Sequence, residues 1–143
     1  MGRALELASA AAQAGDVPVG AVVLDPSGAT IGEGHNQRER AHDPTAHAEV
    51  LALRKAATAS GSWRLDGCTL VVTLEPCLMC AGAILAARVP RLVIGAWDDK
   101  AGATGSQWDV VRDARIGARV EVISGVRAAE SAALLQDFFE ARR

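Results

Sequence analysis

Four side chains in this sequence could together carry out a hydrolysis. Cys77 and Cys80 stand three apart in TLEPCLMCAGAIL, and thirty residues upstream His47 and Glu49 stand two apart in DPTAHAEVLAL. At the start of a helix, two cysteines three apart project from nearly the same side and can share one ion. The unpaired N–H groups and the dipole there also favour thiolates over thiols. Two thiolates and a neutral imidazole make a three-ligand zinc set that leaves one tetrahedral position open. Zinc makes bound water acidic enough to yield hydroxide near neutral pH, but something must accept the proton and deliver it to a substrate. A carboxylate beside the metal and not bound to it suits that task, and Glu49 is the candidate.

The same residues have plainer readings. The cysteine pair could be two packed apolar residues, or a thioredoxin-like redox pair, which belongs after the first strand of its own fold. A structural zinc site needs a fourth protein ligand, which here would have to be Cys68, His35 or His42. Cys68 precedes a buried strand and reads as a packed core thiol, and each histidine reads as a residue hydrogen-bonded locally. Taken alone, Glu49 is a solvated helix residue. Two positions apart on a regular helix, His47 and Glu49 point about 200° apart, so they converge only if the metal lies off the helix end.

The elements that must position these groups can be read from pattern. Residues 3–14 are alanine-rich with one apolar face, and Gly15 follows as a C-cap, which predicts a helix. Residues 19–24 and 30–35 are β-rich runs around the turn residues Asp25, Pro26, Ser27 and Gly28, a hairpin. A polar loop follows, and Asp43 with Pro44 predicts a helix over residues 45–59. CTLVVTL reads as a strand buried on both faces, after which Pro76 starts a helix to about residue 87, and RLVIGAW as a second buried strand. Two strands flanking one helix make a parallel pair. The Gly-rich, aperiodic stretch from Trp97 to Trp108 is a long loop of the kind that often carries function. RVEVISG predicts a short strand and AAESAALLQDFFEARR a final helix, with Phe138 in the core. About five strands alternating with four or five helices predict a three-layer α/β sandwich.

Half of the 143 residues are hydrophobic, enough for one domain with a sizeable core and too few residues for two. Fifteen basic and seventeen acidic residues give a net charge of -2, so no bulk attraction draws in nucleic acid or an anionic membrane, and any polyanion must be held by a local patch. The N-terminal stretch lacks a secretory pattern and no apolar run approaches the roughly 18 residues of a membrane span, which predicts a cytoplasmic protein.

His47-Ala48-Glu49 with Pro76-Cys77-x-x-Cys80 resembles the zinc-dependent deaminases of nucleosides and nucleic acids. VPVGAVV, IGEGHN, HDPTAHAE, TLEPCLMCAGA, GAWDDKAGATGS and LLQDFF resemble, in order and spacing, the bacterial tRNA adenosine deaminases over essentially the whole chain. The resemblance implies a cytidine-deaminase-like α-β-α sandwich with a five-stranded mixed sheet, and hydrolytic deamination of the wobble adenosine in an arginine tRNA anticodon to inosine. It implies that His47, Cys77 and Cys80 hold one Zn2+ per subunit, while Glu49 passes a proton from water to the purine ring and helps ammonia leave. It implies substrate contacts at Asn36, at the backbone near Ala48 and at Asp98, and a homodimer whose two subunits both touch the tRNA anticodon stem-loop. Of the adjacent Phe138 and Phe139, which point about 100° apart, Phe139 is the one expected at the substrate. Trp97 and Trp108 could stack on bases or pin their loop to the core, and Arg38, Arg40, Lys100, Arg142 and Arg143 are the available phosphate partners. With no long basic tail after FFEARR, binding to RNA is expected to be salt-sensitive. A deaminase of a free base such as guanine or cytosine would share the same site, and the near-neutral charge favours it. A non-catalytic structural zinc module would need a fourth ligand and would have no use for Glu49.

Overall fold

Two glycines set the depth at which one helix lies on the sheet. A Cβ at Gly32 would sit 2.3 Å from the carbonyl oxygen of Ala52, and one at Gly34 2.3 Å from that of Ala48, so only glycine lets the helix over these strand positions lie this close. The computed structural model describes residues 1–117 and 119–143. In chain order its elements are α1 (Gly2–Gln13), β1 (Gly20–Leu24), β2 (Thr30–His35), α2 (Arg38–Ala41), α3 (Ala48–Ser60), β3 (Thr69–Leu74), α4 (Leu78–Ala86), β4 (Arg91–Ala96), a 3-10 turn (Val110–Arg112), β5 (Glu121–Ile123) and α5 (Ala128–Glu140).

The strands lie in the order β2-β1-β3-β4-β5. β1 runs antiparallel to both β2 and β3, while β3, β4 and β5 are mutually parallel, so the sheet is mixed and five-stranded as expected. Alternation divides its side chains between two layers. Ala21, Val23, Leu70, Val72, Leu92 and Ile94 pack with Ala52, Leu53, Ala81 and Ile84 of α3 and α4. Val22, Val71 and Val93 face Ala4 and Leu7 of α1, and α5 joins α1 on that side. Because both faces are covered, the central strands are continuously apolar rather than alternating.

Three boundaries depart from expectation, for physical reasons. The second long helix begins at Ala48 rather than at residue 45, because the Asp43 carboxylate accepts from the Thr45 N–H and hydroxyl, both at 2.8 Å, and so closes a tight turn instead of capping the helix. The helix expected from Pro76 begins at Leu78, since the Pro76 carbonyl is taken by the N–H of Ala103 at 2.8 Å. The loop after β2 contains α2, whose Glu39 and Arg40 N–H groups donate to the buried carboxylate of Asp16 at 2.8 and 3.2 Å. That cap is 23 residues away in sequence, beyond the reach of local pattern.

Candidate active site

Each long helix on the site side is preceded by one of the suspected ligands. His47 is the N-cap of α3 (φ −74°, ψ 151°) and Cys77 the N-cap of α4 (φ −75°, ψ 178°), both extended. Cys80 falls in the first turn of α4 and Glu49 in the first turn of α3. Because His47 lies outside the helix, the 200° divergence expected for a regular helix does not apply, and imidazole and carboxylate meet at the same end.

Nδ1 of His47 stands 3.6 Å from Sγ of Cys77 and 3.4 Å from Sγ of Cys80. A tetrahedral zinc with Zn–N near 2.05 Å and Zn–S near 2.3 Å sets its nitrogen and sulfur ligands about 3.6 Å apart, so these separations fit the ion. The chemistry of the donors agrees. Cys77 is pulled far below the ordinary thiol range, to about 3, by the hydrogen bond from Cys80 and then by His47. Cys80 is pushed the other way, first as that donor and then by burial. One cation shared by the two sulfurs removes this opposition by taking both as thiolates. Among the described residues no fourth His, Cys, Asp or Glu joins the cluster. Cys68 sits buried beyond the opposite end of β3 with its sulfur 3.8 Å from the Asp66 carbonyl, and Nδ1 of His35 lies 3.3 Å from the carbonyl of Asn36.

Glu49 is 4% exposed, and burial pushes its carboxyl up to about 7. It borders a cavity of about 200 Å³ walled by His47, Ala48, Cys77, Asn36, Asp98 and Ala101 among others. That is below the roughly 300–1,000 Å³ of pockets for drug-sized ligands, and it suits a single ring system. Asn36 is held in place from both ends of its amide, donating to the Val17 carbonyl and accepting the Arg38 N–H, each at 3.2 Å. The Asp98 carboxylate accepts the N–H groups of Lys100 and Ala101 at 3.0 and 3.2 Å. Arg38 also reaches the cavity wall.

Other expected contacts lie elsewhere. Phe138 is buried, whereas Phe139 is half-exposed on α5 and outside the walls of this cavity. The Arg142 guanidinium stacks 3.6 Å over the Phe138 ring and donates to the carbonyls of Phe138 and Gly15, so it is engaged at the end of α5. Trp97 lies against Gly105, where a Cβ would be 3.0 Å from its ring, and both Trp97 and Trp108 remain close to half-exposed.

Sequence reasoning gave no role to Glu75, which is 2% exposed and lines the cavity. Its carboxylate accepts the N–H groups of Asp98 at 2.9 Å and of Thr104 and Ser106 at 3.0 Å, together with the Ser106 hydroxyl. The available signal was an acid at the end of a buried, mostly apolar and β-branched strand, directly before Pro-Cys, where a solvated surface residue is out of place.

Comparison with known proteins defines the class to which this arrangement belongs. The pattern of the cytidine and deoxycytidylate deaminase zinc-binding region matches residues 1–96. The chain belongs to that family of zinc-binding deaminases. Within the family it is 51% identical to the tRNA-specific adenosine deaminase of Haemophilus influenzae, over 98% of this chain and 81% of that one. It is also 51% identical to a segment of the tRNA(Ile)-lysidine synthase of Deinococcus radiodurans, matching over its full length but spanning only 25% of that longer protein. A solved structure described in work on A-to-I editing by tRNA:A34 deaminases at the wobble position superposes with a TM-score of 0.88 at 42% identity, over 92% of this chain and 95% of that one. The guanine deaminase from Nitrosomonas europaea superposes at 0.82 with 31% identity, over 96% of this chain and 81% of that one.

Proposed function

We propose that this chain hydrolytically deaminates the wobble adenosine of a tRNA anticodon, arginine tRNA being the expected one, to inosine. The observation that carries the proposal is the convergence of His47, Cys77 and Cys80 with the buried Glu49 beside a cavity of the size of one nucleobase. Identity of 51% to a tRNA-specific adenosine deaminase over nearly the whole chain supports the choice of substrate.

The two cysteines and His47 hold the zinc, and when bound it supplies the Lewis acidity that makes water a nucleophile near neutral pH. Glu49 takes the proton of the water that adds to C6 of adenine and gives it to ring N1. It then takes the proton of the new C6 hydroxyl and delivers it to the exocyclic nitrogen, so that the C6–N6 bond breaks, ammonia departs and the C6 carbonyl of inosine forms. Asn36, fixed by its two local bonds, offers its remaining hydrogen-bonding capacity to the nucleotide, and the backbone at Ala48 and the segment at Asp98 close the cavity around the base. Phe139, outside the cavity in one subunit, can meet only a part of the RNA beyond the reacting base.

Residues 1–143 act as one deaminase domain, a reading supported by the recurrence of the same stretch within a protein about four times as long. The chain works as a homodimer. Support comes from an apolar surface of α3 and α4, where Val50, Ala57, Ala83 and Ala86 adjoin Trp63, which is 62% exposed. Light scattering that returned the mass of one chain would count against it. No helix among the described residues is long and apolar enough to cross a membrane, and a tRNA substrate points to the cytoplasm.

A second reading, deamination of free guanine, is favoured by the net charge of -2 and by the likeness to guanine deaminase. One experiment separates the two. The protein is offered an adenosine-wobble tRNA transcript alongside free guanine, cytosine and adenosine, and products are read by mass spectrometry. Inosine at the wobble position is expected, and conversion of a free base with the RNA untouched would overturn the proposal.

A further inference from the structure

Glu75 is a buried carboxylate whose partners are N–H and O–H groups rather than a cation. Oε1 accepts from the backbone of Thr104 and Ser106, and Oε2 from the backbone of Asp98 and from the Ser106 hydroxyl. Hydrogen bonds to an ionised acceptor are the stronger kind, and they draw the two ends of segment 98–106 onto one side chain. The wrap is tight, since a Cβ at Gly102 would lie 2.0 Å from Oε2 of Glu75. Backbone ties run beside it, Ala103 donating to the Pro76 carbonyl at 2.8 Å and Gly102 bridging to Cys77. Glu75 is thus two residues from a zinc ligand on one side, and through its carboxylate it holds the segment bearing Asp98 and Ala101, which wall the cavity.

We propose that Glu75 is a positioning residue for substrate: its carboxylate fixes the 98–106 wall to the segment that supplies Cys77, so that the cavity opposite the reacting centre has one width. Glu75 takes no proton in the reaction and acts through Asp98 and Ala101. A wall fixed in advance spares the enzyme the ordering of a Gly-rich loop at each binding event. Loss of the latch therefore weakens substrate capture more than it slows chemistry. This rests on the deaminase reading for its kinetic signature, and on the geometry alone for its effect on the loop.

The test is Glu75→Gln, which keeps size and shape but replaces one acceptor oxygen with an NH2 that must face at least one backbone N–H donor. We expect the variant to retain one zinc per chain. Amide exchange across residues 98–106 should quicken at least about tenfold with β3 and β4 unchanged, because a buried donor is left without an acceptor. KM for an anticodon stem-loop should rise about ten- to a hundredfold with kcat within about threefold of the parent, the split that marks lost binding rather than lost chemistry. Ser106→Ala removes one hydroxyl from the other side of the latch and should show the same pattern more weakly, which decides the matter if Glu75→Gln does not fold. Unchanged exchange in 98–106, or a loss confined to kcat, overturns the proposal. If the parent protein leaves the stem-loop untouched, the deaminase reading fails, and the exchange measurement still decides whether Glu75 holds the loop.

Discussion

Glu49 owes its place in the proposal to burial rather than to its residue type. An exposed glutamate on a helix is ordinary, but here 4% exposure and a neighbouring sulfur leave the carboxylate facing the cluster and the cavity. Glu49→Gln is nearly isosteric, keeps a polar neighbour beside Cys80 and leaves all three ligands in place. It should therefore keep one zinc per chain while turnover falls at least about a hundredfold, the low end of what a positioned proton carrier contributes. Zinc content by plasma mass spectrometry and inosine formation by the variant check this together, and undiminished turnover would remove Glu49 from the mechanism. The candidate ligands His47, Cys77 and Cys80 and the candidate proton carrier Glu49 were legible because two short motifs single them out. Glu75 and Asp16 were not, since each acts on backbone far away in sequence, at 98–106 and at 39–40, and nothing in their local pattern names those partners.

At the scale of elements, the positions of the helix starts decide the chemistry. Had α3 begun at residue 45, His47 would lie within it and point away from Glu49. Beginning at Ala48 makes His47 an extended N-cap, and the parallel arrangement at Cys77 and α4 brings both helix starts to one point. The hairpin, the buried parallel pair and the final helix were legible from period and turn residues. The offsets of the two helix starts were not, because they depend on the Asp43–Thr45 turn and on the tie between Pro76 and Ala103. The seat of α3 on β2 is equally tertiary in origin. Gly34→Ala would place a methyl 2.3 Å from the Ala48 carbonyl, next to His47 and Glu49. The helix must shift, at a cost of about 1–3 kcal/mol. Calorimetry should show a melting temperature roughly 3–10 °C lower, together with weakened zinc retention, and a variant that melts like the parent would mean that the close packing is not what sets the helix.

For the whole molecule, the mixed sheet explains how segments thirty residues apart share an ion: β3 delivers Cys77 at its C-terminal end, and α3, seated on β2 and β1, delivers His47 to the same end. The layer order was legible from the alternation of strands and helices, whereas the apolar face of α3 and α4 could not be told from core by sequence, because small and aliphatic residues serve both. The net charge of -2 leaves binding of RNA to local groups, with Arg38 at the cavity wall the nearest of them. Among the described residues the fold offers zinc three protein ligands, His47, Cys77 and Cys80, and no fourth. X-ray absorption at the zinc edge of the purified protein should show two sulfurs and one imidazole from the protein on one zinc per chain, and a spectrum that requires a third sulfur or a second imidazole, or a protein without stoichiometric zinc, would rule out this three-ligand site.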